Sequence, residues 1–198
     1  MRKTTPEMLP FVPKEGPRKI YVMLMRFRDG GSRTISFMTR SFYTHASIGL
    51  EEDLGTFYSF VCKGYWRRRC EGFLVEKVDR YNRREGEPFP CCLYELSVSE
   101  ETYEATKRLL LHFAEHQEAY RYARFGIVMG LLRIPFKYRR HYFCSQFVAE
   151  VLSRVHAATL KKRACLYMPG DFTKLPGVSL VYRGDLLDFE KRFLPSQA

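Results

Sequence analysis

Residues 42–50 read FYTHASIGL, and their alternation decides the fold. Phe42, Ala46, Ile48 and Leu50 fall on one side of an extended chain, and Tyr43, His45, Ser47 and Gly49 on the other, because successive side chains of a strand point to opposite faces. One face is apolar and ready to pack. The other is small and polar, with room above it for another element or a substrate. A turn over 51–55 follows, and residues 56–62, TFYSFVC, return as the second strand of a hairpin.

Upstream, residues 19–27, KIYVMLMRF, are rich in strand formers and end at Asp29-Gly30-Gly31. Residues 32–40 allow a short helix capped by Ser32. Downstream, 73–78 and 92–98 read as further strands. Ser99 then caps a helix over about 100–119, whose first turn carries Glu100 and Glu101, as the helix dipole favours. Residues 120–138 mix aromatic, basic and glycine residues, and Pro135 bars a continuous helix there. The clearest helix spans 144–155, with Phe147, Val148, Val151, Leu152 and Val155 in one stripe. A short strand near 178–182 and a charged tail close the chain. Strands followed by helices imply an α+β domain, an antiparallel sheet with helices packed on one face.

The chain has 198 residues, 45% of them hydrophobic, with 16 Phe and 13 Tyr. That is enough for one sizeable core. Without a linker or an internal repeat, residues 1–18 read as an irregular lead-in and 19–198 as a single domain. The N-terminal stretch has no apolar segment of signal-peptide length. The apolar run 125–132 is far short of the ~20 residues that span a bilayer, so a cytoplasmic, reducing location is expected. The six cysteines (62, 70, 91, 92, 144 and 165) are then expected to be thiols rather than a disulfide framework. A net charge of +11, with clusters at 67–69, 83–84, 139–140 and 161–163, favours anionic partners: acidic lipid surfaces, polymers or nucleic acid.

Cys144 opens the 144–155 helix on its inward stripe. Unpaired backbone N–H groups at a helix N-terminus stabilise a thiolate and can receive an oxyanion formed beside it. A cysteine nucleophile needs a base held by rigid structure. His45, alone among the five histidines, lies inside a clear strand on its small, polar face. If the Cys144 helix packs over that face, thiol and imidazole meet. Ser59, on the returning strand, is the nearest polar candidate to orient the imidazole, with Tyr58, Glu51 and Glu76 as competitors.

The segments THASIGL, FYSF and, much later, FCSQFVAEVL resemble the permuted papain-like cysteine hydrolases, the YiiX/YaeF-type relatives of the NlpC cell-wall amidases. In that branch the histidine strand precedes the cysteine helix, as it does here, and the resemblance covers roughly residues 19–180. It implies a permuted papain-like fold with Cys144 as nucleophile, His45 as general base and the Cys144 N–H in an oxyanion hole. Tyr43 is placed near the site, and Ser145 beside Cys144 is taken with it as a substrate-contacting position. The implied reaction is an attack on an amide or ester of a peptide-like or lipid-linked substrate, without metal or other cofactor. Lecithin-retinol-acyltransferase-like relatives share this layout, so acyl transfer is the close alternative.

Other signals point elsewhere. His112 and His116 are spaced i, i+4, but no CxxC or HExxH accompanies them, so no metal site is expected. Gly30-Gly31 lacks the Lys-Ser/Thr of a phosphate-binding loop. His141 is too close along the chain to Cys144 to be the first-choice base. A catalytically silent binder of anionic lipid or polymer competes with the enzyme reading. Nucleic-acid binding through Tyr65-Trp66 and Tyr138 beside basic clusters is disfavoured, because no recognised motif supports it.

Overall fold

The computed structural model describes residues 16–27, 41–62, 72–81 and 88–194. The helix expected over 32–40, the residue pair Tyr65-Trp66 and the cysteine at 70 lie outside them.

Along the chain come β1 (Arg18–Met25), β2 (His45–Leu50), β3 (Thr56–Phe60), β4 (Phe73–Lys77) and β5 (Pro90–Val98). Helix α1 (Glu100–Glu115), the two-residue strand β6 (Arg121–Tyr122), α2 (Arg124–Leu131), the equally short β7 (His141–Tyr142), α3 (Cys144–Arg154), β8 (Val178–Asp185) and α4 (Leu186–Phe193) follow. Six strands form one antiparallel sheet in the order β4-β3-β2-β1-β5-β8, and β6 and β7 make a separate parallel pair. The α+β class is therefore that of the structure.

The sheet is covered on both faces, not on one as the sequence suggested. On one face Ile20, Val22, Leu24, Ala46 and Ile48 pack with Tyr103, Leu110 and Phe113 of α1 and with Phe147, Val148 and Val151 of α3. On the other, Met23, Met25, Phe57 and Leu93 pack with Leu186 and Phe189 of α4. That last helix replaces the expected charged tail. The Asp185 carboxylate caps it by accepting from the Leu187 N–H at 2.9 Å, and its apolar residues recur at helical spacing behind the charges. Ser99 caps α1 as expected, accepting from the Thr102 N–H.

Cys62 departs from the expectation of free thiols: it is disulfide-bonded, whereas Cys91, Cys92, Cys144 and Cys165 are free. Spacing along a chain does not reveal whether two sulfurs approach in space. Disulfides persist in oxidising compartments, so cysteine usage no longer argues for a reducing location. Among the described residues, no helix is long and apolar enough to cross a membrane.

Candidate active site

The site begins where β2 begins. The Thr44 N–H donates to the Met25 carbonyl at 2.9 Å, and the Phe27 N–H donates to Thr44 Oγ1 at 2.9 Å. These bonds fasten the start of β2 to the end of β1. In the antiparallel register His45 lies opposite Met25 and Ser47 opposite Met23, so His45 points to the α4 face of the sheet. The Phe27 ring packs against the imidazole with centroids 4.9 Å apart.

The polar face inferred from the sequence is thus not an open floor. Phe57 covers Gly49 so closely that a Cβ there would stand 2.7 Å from the ring. Nor does α3 lie over that face, because its apolar stripe packs on the opposite one with Ala46 and Ile48. The two reactive groups meet by another route. β2 and β3 pair only at Ile48↔Tyr58 and Gly49↔Phe57, so the ladder has ended before His45 is reached. There the first residue of α3 comes in: the Cys144 thiol is close enough to the His45 ring and to the backbone N–H of Ala46 for each to act on its charge. Contact is made at the end of the helix, not along its side.

His45 Nε2 lies 3.0 and 3.2 Å from the two carboxylate oxygens of Glu76, which leaves Nδ1 as the nitrogen for the thiol. Glu76 stands on β4, opposite Phe57, and reaches across β3. Ser59 Oγ donates to its Oε1 at 2.7 Å and Tyr81 Oη to its Oε2 at 2.5 Å. The carboxylate is saturated by donors, as a buried charge requires. Ser59, the orienting group preferred from the sequence, therefore supports Glu76 and is one bond removed from the imidazole. Glu76, one of its competitors, holds that position.

All three side chains are almost wholly enclosed, with Cys144 6%, His45 4% and Glu76 4% exposed. Burial by itself would neutralise the imidazole. The Glu76 charge, the thiol and the Glu76 hydrogen bonds outweigh it and push the His45 pKa up to about 10. Burial likewise opposes a Cys144 thiolate, but hydrogen bonding and charge from His45, with the backbone N–H groups of Ala46 and Ser145, bring its pKa below the ordinary thiol value. Glu76 too is held below its usual range: against the burial penalty act the His45 charge and the bonds from His45, Tyr81 and Ser59. Both shifts act in the same sense, favouring the charged forms of the thiol and the imidazole over the neutral ones.

Phe143 precedes α3 in extended conformation and supplies no side-chain cap. The first N–H groups of the helix are consequently free of side-chain caps, and the Ser145 N–H points at the sulfur. Ser145 Oγ is used differently: it donates to the Tyr167 carbonyl at 2.7 Å, inside the protein. Tyr43 is also drawn away. The strand starts at His45, not at 42, so the alternation does not run through Thr44, and Tyr43 packs with Cys92 of β5 in the core on the α3 face. His141 Nδ1 lies 2.8 Å from the Arg139 carbonyl oxygen, and the rings of His112, in the last turn of α1, and His116, just past its end, lie 4.4 Å apart. Among the described residues, no cluster of three or more metal-ligating side chains is present.

A cleft of about 960 Å³ runs along Gly72, Tyr122 and His141, and another of about 320 Å³ along Tyr43 and Arg183. Neither is lined by Cys144 or His45.

Sequence and structure comparisons give no relative: no family model, no curated protein and no solved structure matches the chain.

Proposed function

We propose that the chain is a thiol-dependent hydrolase of permuted papain-like type, cleaving an amide or ester through an acyl-enzyme. The observation that carries this reading is the buried chain Cys144–His45–Glu76, with the sulfur at an uncapped helix start. Burial of three ionisable groups is costly, and structural roles for a cysteine and a histidine do not require it. Nucleophilic catalysis does, since it needs a thiolate with a proton donor beside it.

In the reaction the Cys144 thiolate attacks the carbonyl carbon, and the carbonyl π electrons move to oxygen. The N–H groups of the first turn of α3 receive that oxyanion. As the intermediate collapses, the bond to the leaving amine or alkoxide breaks and His45 Nδ1 supplies its proton. The resulting thioester is cleaved by a water that gives a proton back to His45, and the thiolate departs. Glu76 keeps the imidazole in one orientation and stabilises its charged form, the part a buried carboxylate plays in hydrolytic triads. Cleavage by an alcohol or amine instead of water would make the same chemistry an acyl transfer to a peptide-like or lipid-linked acceptor.

The test is covalent labelling by an electrophilic thiol probe, read by peptide mapping. Rapid labelling of Cys144, lost in His45→Ala and retained in Cys165→Ser, supports the proposal. Equal slow labelling at all free cysteines, together with no turnover on amide and ester panels, defeats it and leaves a binding module.

A further inference from the structure

Helix α2 is built inside out. Its buried residues are Gly126 and Gly130, and these let it lie close on the body. A Cβ at Gly130 would stand 2.6 Å from Met168 Cε and 3.3 Å from the Cys165 carbonyl, and one at Gly126 3.4 Å from the Phe143 ring. With its small residues turned inward, its large apolar residues face out. Phe125 is 60% and Leu132, just past its end, 58% exposed, with Val128 between them on the same stripe. Ile134 continues the patch and Tyr138 stands 61% exposed beyond it. A helix of a water-soluble protein ordinarily buries such a stripe, and an exposed apolar patch with a polar rim marks an interaction surface.

The rim is cationic. No Asp or Glu lies between Glu118 and Glu150, whereas Arg133, Arg139 and Arg140 fall within that interval; Lys137, also within it, is paired with Glu150 at 2.7 Å. Two of these arginines hold strained backbone positions. Arg133 has φ 59° and Arg140 φ 60°, the left-handed region that non-glycine residues rarely adopt. Arg133 closes α2 in a Schellman turn: its N–H donates to the Gly130 carbonyl at 3.0 Å and the Ile134 N–H to the Met129 carbonyl at 2.9 Å. Glycine is the usual residue there. Arginine instead puts a cation at the edge of the apolar patch at a conformational cost.

We propose that the face formed by α2 and residues 132–140 docks onto an anionic lipid surface. The charge of the rim complements acidic headgroups, and Phe125, Val128, Leu132 and Ile134 can enter the acyl boundary, where nothing polar needs satisfying. Tyr138 has the amphipathic ring that suits the interface between the two. A symmetric pair of copies would set this cationic rim against itself. Nucleic acid would stack on the aromatic rings but gains nothing from the exposed aliphatic residues. The docking does not depend on the chemistry assigned to Cys144.

The experiment is sedimentation of the full chain with phosphatidylcholine vesicles, with and without phosphatidylglycerol, at low and high salt. Expected is binding to the anionic vesicles at least about tenfold tighter than to the neutral ones, weakened by salt. Phe125→Glu with Leu132→Glu should abolish it, and Arg139→Gln with Arg140→Gln should weaken it about fivefold per charge removed. Unchanged melting temperatures and Cys144 labelling verify the fold of each variant. Should the first pair unfold, Val128→Ser with Ile134→Ser takes its place. Vesicle binding unaffected by the apolar substitutions overturns the proposal. So does a dimer that these substitutions dissociate, or single-stranded RNA retained where vesicles are not.

Discussion

The Cys144–His45–Glu76 cluster and the α2 face invert the ordinary partition of side chains in opposite ways. At the centre, charge is inside: His45 and Glu76 are buried and their hydrogen-bonding capacity is taken up by neighbours. On α2, apolar bulk is outside and glycine inside. The first inversion is tolerated because each buried charge has a partner, and removing one partner strands the other. The second is tolerated because close packing of two glycines replaces burial of the large side chains. Substitutions at the two places should therefore behave very differently.

The largest effect belongs to Cys144→Ala. It removes the atom proposed to form the acyl-enzyme, and turnover on any accepted ester or amide should fall to background, a loss on the order of 10⁶-fold. Retained turnover would dissociate the centre from the chemistry. Next comes Glu76→Gln, which leaves the imidazolium without its counter-charge. Turnover should fall about 10²–10⁴-fold, and stability by about 3–5 kcal/mol, read as a lowered denaturant midpoint.

pH dependence sharpens the same contrast. His45 is raised from 6.5 to about 10 in the folded chain, so its contribution to stability is complete below about 6.5 and is lost as pH rises through about 10. Glu76 is lowered, so its contribution is present above the ordinary carboxylate range and is lost as pH falls through its depressed folded value. Denaturant midpoints measured against pH should show both limbs, and Glu76→Gln should erase the acid one and shift the alkaline one down. Alkylation of Cys144 should begin below the pH at which ordinary thiols react, and His45→Ala should move that onset up.

Smaller effects follow at the groups behind Glu76. Ser59→Ala and Tyr81→Phe each remove one donor to a buried carboxylate and should cost about 1.5–3 kcal/mol, with a milder loss of turnover than Glu76→Gln. If Ser59→Ala instead proved as damaging as Glu76→Gln, the serine would be more than a support. Smallest of all is the effect of Phe125→Glu or Leu132→Glu on stability, which should stay within about 0.5 kcal/mol. A large loss there would mean that the face is part of the core and not a surface.

Much of this was legible in the chain. Five long strands and the helices at 100–115 and 144–154 announce themselves by period and caps, because alternation and helical stripes record which side of a local element faces a core. His45 and Cys144 stand out for the same local reasons, a small polar strand face and a helix start. Glu76 ranked only among the competitors of Ser59, since a charged residue in FLVEKV looks like an ordinary solvent-facing position of an edge strand. Helix α4 was hidden by the charges around Leu186, Phe189 and Phe193, although Asp185 offered a cap.

Local geometry was written into the chain: an extended segment carrying an imidazole, a helix opening on a sulfur, and the order in which they occur. Tertiary structure alone decided how they meet. The strand register turns His45 to the face opposite α3, and the early end of the β2–β3 ladder lets the helix tip approach the imidazole. Pairing of β3 with β4 brings Glu76 across to it. Side-chain period is a property of neighbours along the chain, whereas register is fixed by the fit of strands distant in sequence; only the folded sheet could put a carboxylate, an imidazole and a thiol in line.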